Sequence, residues 1–193
     1  MRGKHPLILL LGFLWLISSC ARPILPLAPA THDIPNSTHG LVFGRIEVIR
    51  DGYDQMAYSF GKEFGWWLTQ EGSEKRYVVK TLTRDGPFVL NLPAGHYLIT
   101  GLIYDEDAGV WEGRVQASFQ VTAGTETYLG TWAIQFGFPG SSGKVSARVV
   151  NQLDHARPEL LTTYTGPAKP LAVQLLNSAP QGYFSLIELR IGQ

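Results

Sequence analysis

The sequence predicts a mainly β domain, an antiparallel β-sandwich with one short amphipathic helix near its C-terminal end. The first observation is alternation. In "GRVQASFQVTAG" the apolar residues at positions 115, 117, 119 and 121 alternate with Gln116, Ser118 and Gln120. Successive side chains of a strand point to opposite faces, so this period indicates a half-buried strand. The second is that Gly, Pro, Asp and Asn bound such runs at short spacing, which is typical of sandwiches and barrels.

About eight to ten strands are expected by this criterion between Gly40 and Gln193. The runs that predict them are "GRIEVIRDG", "RYVVKTLTRDG", "PFVLNLPAGHYLITGLIY", "GRVQASFQVTAG", "TYLGTWAIQF", "GKVSARVV", "LAVQLL" and "YFSLIELRI".

One stretch has a helical period instead. In "NQLDHARPELLTTYTGP" apolar residues recur three and four positions apart, at Leu153, Ala156, Leu160, Leu161 and Tyr164. Asn151 or Asp154 suits a helix start, and Gly166 with Pro167 suits a stop. Pro158 is tolerated near a first turn, which favours a start near Asp154. The prediction is a helix near 154–165 that packs on the sheet by its apolar face.

The N-terminus has the pattern of a secretory signal. Arg2 and Lys4 precede an apolar run from position 7 to 17, and Ser18-Ser19-Cys20 follow. This run is shorter than the roughly 20 residues that a membrane-spanning helix needs. The sequence Ile17-Ser18-Ser19-Cys20 resembles the bacterial lipobox. That resemblance implies a signal peptide over 1–19, cleavage before Cys20 and a membrane anchor through lipid on the Cys20 thiol.

The lipobox resemblance also implies a location. The residue after Cys20 is Ala21 and not the aspartate that retains lipoproteins at the inner membrane. The expected location is therefore the cell envelope, at the outer membrane, facing the periplasm or the cell exterior. Since Cys20 is the only cysteine, no disulfide is expected to hold the fold.

Residues 20–39 predict a lipidated, proline-rich tether. Pro23, Pro26, Pro29 and Pro35 fall in this segment, and proline fits neither a helix interior nor a central strand. The β domain is then expected over 40–193.

The stretch "FVLNLPAGHYLITGL" joins two strands through Pro93-Ala94-Gly95, and Tyr97 starts the second strand. Strict alternation would place Tyr97 on one face with Ile99, Gly101 and Ile103. With its continuation to about residue 136, the stretch resembles the closing hairpin of prealbumin-like sandwiches, which include carboxypeptidase regulatory-like domains. The resemblance implies a binding or accessory domain without catalytic residues.

Charge and motifs narrow the function classes. The 16 Lys and Arg residues balance the 16 Asp and Glu residues, which gives no electrostatic footprint for nucleic acid. The histidines lack metal-ligand spacing, and no nucleophile elbow occurs. "FPGSSGKV" is not a phosphate loop, because Phe138 replaces its first glycine and Val145 its Ser or Thr. No catalytic residue, metal ligand or cofactor is predicted.

Two tryptophans mark a candidate surface for a ligand or partner. Trp66 and Trp67 are adjacent, so in a strand one enters the core and the other faces outward. Trp111 borders the acidic stretch "YDEDAGVWEG", in which Asp105 and Asp107 complete the candidate set. The carboxylates of 105–112 suit either calcium or a solvated hairpin tip.

The expected function is that of a lipid-anchored envelope protein whose β domain binds an envelope protein or a glycan. The alternatives are a structural envelope lipoprotein without a ligand, and an enzyme with an unrecognised site. An exposed aromatic strip would favour binding, whereas a deep cleft with converging polar groups would favour an enzyme.

Overall fold

A computed structural model of the chain describes residues 22–24, 38–50, 53–54, 64–81, 86–106, 109–137, 142–163 and 169–189. These ranges contain one fourteen-stranded sheet and one helix. The strands are β1 Arg22–Ile24, β2 His39–Arg50, β3 Tyr53–Asp54, β4 Phe64–Gln70, β5 Arg76–Thr81, β6 Pro87–Pro93, β7 Gly95–Glu106, β8 Gly109–Arg114, β9 Ala117–Val121, β10 Glu126–Gly137, β11 Ser142–Val150, β12 Leu171–Val173, β13 Asn177–Ser178 and β14 Gln181–Leu189. The helix is α1 Leu153–Thr163.

The prediction of mainly β structure with one C-terminal helix is confirmed for the described residues, but the sheet differs from the predicted one. Its main path runs β1-β5-β4-β7-β8-β14-β11-β10-β2-β3. The pairs β1–β5, β10–β2 and β10–β12 are parallel, so the sheet is mixed and not purely antiparallel. It curls into a half-barrel, and a two-layer sandwich is not confirmed.

The concave side of the curled sheet holds the main core. Side chains from β4 and β7 meet those from β2, β6 and β10 across the interior. The Trp66 ring lies edge-on to Phe88, with centroids 5.0 Å apart, and tilted against Trp132 at 5.9 Å. Burial of these large apolar side chains stabilises the fold of a chain that has only one cysteine and so no internal disulfide.

The turn between β6 and β7 is closed by Tyr97. Its hydroxyl donates a hydrogen bond to the Pro93 carbonyl at 2.9 Å, and its ring stacks on Phe119 at 5.4 Å. Gly95 permits the turn with φ at +153°, a conformation that side chains resist. Tyr97 is completely buried and Ile99 is 1% exposed, so the face predicted to hold both residues is the core face at this point.

A β-bulge in β7 corrects the predicted face of the residues that follow. Leu68 pairs with Ile99, but Trp66, two residues earlier in β4, pairs with Leu102. The extra residue in β7 reverses the alternation. Leu102 therefore enters the core, and Ile103, which strict alternation assigns to the Tyr97 face, is only half-buried.

Helix α1 packs on the convex side of the sheet at one end. Its apolar residues Leu153 and Ala156 contact a small second cluster formed by Leu41, Phe43 and Tyr128. The Asn151 side chain accepts a hydrogen bond from the Leu153 amide at 3.2 Å, so the helix starts one residue before the predicted Asp154. The predicted docking of this helix by an apolar face is confirmed at its first turns.

The segments at the N-terminus are described only in part. Residues 1–19 and Cys20 lie outside the described residues. Within the predicted tether, Arg22–Ile24 form an edge strand parallel to β5, a place where Pro23 is tolerated. The predicted domain start at Gly40 falls one residue inside β2. Within the residues that the structure describes, no helix is both long enough and apolar enough to cross a membrane.

Candidate binding face

The two adjacent tryptophans lie on opposite faces of β4, as alternation predicts. Trp66 is 2% exposed and belongs to the core, whereas Trp67 is half-buried on the convex side. Trp67 pairs with Gly101 in β7. A Cβ atom placed on Gly101 would lie 3.4 Å from Trp67 Cδ1, so the indole ring lies over a glycine that leaves it room. Trp67 thus presents part of its ring on the convex side of the sheet.

A line of side chains continues from Trp67 across the convex side of the sheet. Leu102 pairs with Gly113, so Arg114 stands next to Gly101. Arg114 in turn pairs with Tyr183 of β14, and Tyr183 pairs with Lys144 of β11. Directly paired residues share a face, so these side chains project together. We call this set the outer row: Trp67, Gly101, Arg114, Tyr183 and Lys144.

Tyr183 is the most prominent member of the outer row. It is 73% exposed, the most exposed of the large hydrophobic side chains in the described residues. Arg114 and Lys144, its direct neighbours on both sides, are also exposed. With strands about 4.8 Å apart, the row spans about 19 Å from Trp67 to Lys144. A site of this length suits an extended ligand better than a single small molecule.

The charge of the outer row is positive. No described residue forms an ion pair with Arg114 or Lys144. Arg148, exposed on the same face of β11 four residues beyond Lys144, adds a third cation. The nearest described acid on this face is Glu112, which pairs with Ser185 and whose Oε1 lies 3.9 Å from the Gly101 Cβ position. Positive charge is therefore concentrated toward β11, and the one carboxylate lies toward β7.

An open cleft of about 570 Å³ adjoins the row where the bulge in β7 faces the break between β8 and β9. Thr100 precedes Gly101, and Gln116 lies two residues beyond Arg114, so the cleft lies next to the row along the chain. The lining residues are Leu98, Ile99, Thr100, Gln116, Ala117, Ser118, Asn177, Ser178, Ala179 and Pro180. None of these ten has a titratable side chain. The cleft offers hydroxyl and amide groups for hydrogen bonding and no acid or base for proton transfer.

The backbone of the segment after β12 holds one wall of this cleft in place. The Ala179 amide donates to the Gln116 carbonyl at 2.8 Å. Trp132 Nε1 donates to Ser178 Oγ at 3.0 Å, which ties the wall to the core. The cleft is thus preformed in the fold, as ligand sites usually are.

The other predicted surface residues are only partly placed. Trp111 occupies a backbone position in β8 that pairs with Tyr104, three residues along β7 from the partner of Trp67. Asp105 pairs with Val110 near the end of the β7–β8 hairpin. Asp107 lies outside the described residues, as does position 108. The described residues therefore give no site that brings Trp67, Trp111 and the two aspartates together.

The titratable groups elsewhere form no metal site within the described ranges, where no group of three His, Cys, Asp or Glu side chains converges. His96 Nδ1 lies 2.6 Å from Glu71 Oε2, although the two atoms are not aligned for a hydrogen bond. The Glu71 side chain is 63% exposed in the β4–β5 turn, whereas the His96 side chain is 38% exposed. This pair is a local contact between the β4–β5 turn and the start of β7.

No family model matches the chain, and neither a curated protein nor a solved structure has significant similarity to it. Any functional inference therefore depends on the residues themselves.

Sequence reasoning identified one end of the outer row and missed the rest. Trp67 was identified by its adjacency to Trp66. Tyr183, Arg114 and Lys144 lie far apart in the sequence, and each reads as an ordinary polar-side residue of a strand. Only the pairing of β8, β14 and β11 brings them together, and single-sequence alternation does not determine which strands are neighbours.

Proposed function

We propose that this chain is a lipid-anchored protein of the bacterial cell envelope whose β domain binds a glycan or an envelope protein and does not itself catalyse a reaction. The lipid is attached at Cys20, two residues before the edge strand β1 of the sheet. The observation that carries the proposal is the outer row, in which an exposed tyrosine and a half-buried tryptophan share one sheet face.

The composition of this face supports binding. Tyrosine, tryptophan and arginine are the side chains most enriched at binding hot spots, because each covers a large area and carries a polar group. The sheet beneath them is rigid, since its concave side packs into the core. A preorganised aromatic surface loses little conformational entropy when it binds.

The resemblance of the 87–136 region to prealbumin-like accessory domains supports the same proposal. In such domains a β scaffold presents a surface and contributes no catalytic group. The cleft beside the outer row is compatible with this role, because its lining residues can form hydrogen bonds and cannot transfer protons.

The two alternative functions make different predictions for the same face. A structural lipoprotein would tolerate changes at Tyr183 and Trp67 without loss of any binding. An enzyme with an unrecognised site would lose turnover of some substrate when a titratable side chain is replaced.

Alanine variants of the full chain test the proposal. Tyr183→Ala and Trp67→Ala should each weaken retention on a panel of bacterial envelope glycans or on a crosslinked envelope partner by about five- to thirtyfold. Val173→Ala is the matched control, because Val173 is an exposed apolar residue of β12 outside the row. Equal behaviour of all three variants would remove the support for a binding face.

A further inference from the structure

We infer that the ligand of the outer row is an acidic polysaccharide, laid across the strands with its carboxylates toward β11 and its sugar faces on Tyr183 and Trp67. This inference rests on the proposed binding function and narrows its ligand class.

The charge distribution selects an anionic ligand. Arg114 and Lys144 flank Tyr183 in direct cross-strand register, both exposed and neither paired with an acid of the described residues. The two cations lie on either side of Tyr183, about two strand spacings or about 10 Å apart, so one anionic group placed over Tyr183 is attracted by both. Arg148 extends the positive charge along β11. Glu112 lies on β8, two residues from Arg114, and its carboxylate reaches toward Gly101 of β7, so it disfavours an anionic group on that side and orients the ligand.

The aromatic residues and the cleft select a sugar. Tyr183 is 73% exposed, and Trp67 lies about three strand spacings, or about 14 Å, away. Two aromatic rings at that separation on one sheet face, with Gly101 between them, can contact two separate units of one extended chain. The cleft beside them presents the Thr100 hydroxyl and the Gln116 and Asn177 amides. Such neutral donors and acceptors match the hydroxyl groups of a polysaccharide.

A nucleic acid or an anionic membrane would satisfy the charge but not the rest of the face. The chain has equal numbers of basic and acidic residues. The outer row and Arg148 together supply three cations, fewer than a basic patch that binds nucleic acid contains. A lipid headgroup layer would need no cleft with neutral hydrogen-bonding groups. These ligands are therefore alternatives that the experiment must separate.

The test compares one charged polysaccharide with its neutral form. The full chain, purified in a nonionic detergent, is titrated with polygalacturonate oligosaccharides and with the same oligosaccharides after methyl esterification. We expect the chain to bind the acid form at least tenfold more tightly than the ester. Binding of the acid form should also weaken as the salt concentration rises to about 0.5 M, because salt screens exposed charges. The double variant Arg114→Gln with Lys144→Gln should bind the acid form about tenfold more weakly, because each exposed charge contact contributes a factor of up to about five.

The control variant removes one positive charge from a surface outside the outer row. Arg157→Gln removes an exposed cation from α1, on the part of the convex side that the helix covers. It should leave polygalacturonate binding within about a factor of two. An equal loss in Arg157→Gln and in the row variant would overturn the inference, because it would indicate unspecific attraction to the whole chain.

The remaining outcomes separate this inference from the proposed function. Equal binding of acid and ester, both lost in Tyr183→Ala, would overturn the acidic ligand and keep a glycan-binding face. Tighter binding of a single-stranded oligonucleotide or of phosphatidylglycerol vesicles would overturn the inference in favour of that ligand. Absence of binding to either form of the sugar, with a partner still crosslinked through Tyr183, would overturn the inference and leave a protein-binding face.

Discussion

Tyr97 offers the sharpest test of the fold, because its ring and its hydroxyl can be removed separately. Tyr97→Phe deletes only the hydrogen bond to the Pro93 carbonyl. The expected cost in the free energy of unfolding is about 1 kcal/mol, the usual net value of one such bond. Tyr97→Ala also removes the ring from its stack on Phe119 and leaves a cavity. For a completely buried aromatic residue the expected cost is about 3–5 kcal/mol.

Urea unfolding of the full chain, followed by tryptophan fluorescence, measures both values. Trp66 and Trp132 lie in the same core as Tyr97 and report its loss. A cost below roughly 1 kcal/mol for Tyr97→Ala would mean that the ring does not face the core. Equal costs for the two variants would mean that packing contributes nothing beyond the hydrogen bond. Either result would refute the described hairpin.

The pH dependence adds a second readout for the same residue. Burial, and secondarily Tyr77 nearby, raise the pKa of Tyr97 well above its ordinary value. Above pH about 10 the unfolded chain releases this proton while the folded protein keeps it, so stability falls by about 1.4 kcal/mol per pH unit from this group. Tyr97→Phe cannot release the proton. The cost of that substitution should therefore shrink between about pH 10 and 11, and a constant cost would contradict the buried hydroxyl.

Three further predictions concern the core, the anchor and the candidate surface. Trp132→Phe should cost about 1 kcal/mol more in denaturant unfolding than Trp66→Phe, because Trp132 Nε1 donates to Ser178 while the buried Trp66 Nε1 has no partner; equal costs would contradict this assignment. Cys20→Ala should block lipidation, and mass spectrometry of the mature N-terminus should find lipid on Cys20 in the wild type and none in the variant; an unmodified N-terminal residue other than Cys20 in the wild type would refute the anchor. The double variant Trp67→Ala with Trp111→Ala should bind the ligand more weakly while it still unfolds cooperatively in denaturant. An unchanged affinity would favour a structural lipoprotein without a ligand.

Local properties of the fold could be predicted from the sequence because they depend on neighbouring residues. Alternation predicts the β class, and helical spacing predicts the helix that begins at Leu153. The strand that follows the Pro-Ala-Gly turn places Tyr97 on the same face as Ile99, which is the core face. Each of these follows from a period or a turn within about fifteen residues.

The differences arise where distant segments determine the structure. The bulge after Ile99 reverses which residues of β7 face the core from that point on. The sequence does not indicate the bulge, because Thr100 and Gly101 are also compatible with a regular strand. Strands β3 and β13 contain two residues each, too few to show a period, so more strands form than the sequence predicts. The parallel pairing of β2 with β10 depends on a long-range contact that alternation does not encode.

The candidate site shows the same division. Trp67 was identifiable because it adjoins Trp66. Tyr183 became a candidate only when β14 was found between β8 and β11, with a cation directly opposite it on each side. A sheet surface is assembled from residues that are separated in sequence, so its chemistry is visible only once the strand order is known.

Site-specific photocrosslinking in intact cells tests the central claim most directly. A benzophenone side chain at position 183 of the full chain should give one dominant, reproducible adduct with a glycan or an envelope protein. The same group at Val173, which is also exposed but lies outside the outer row, should give none above background. An adduct that is equally abundant from both positions, or no adduct from position 183, would contradict a binding function for this face.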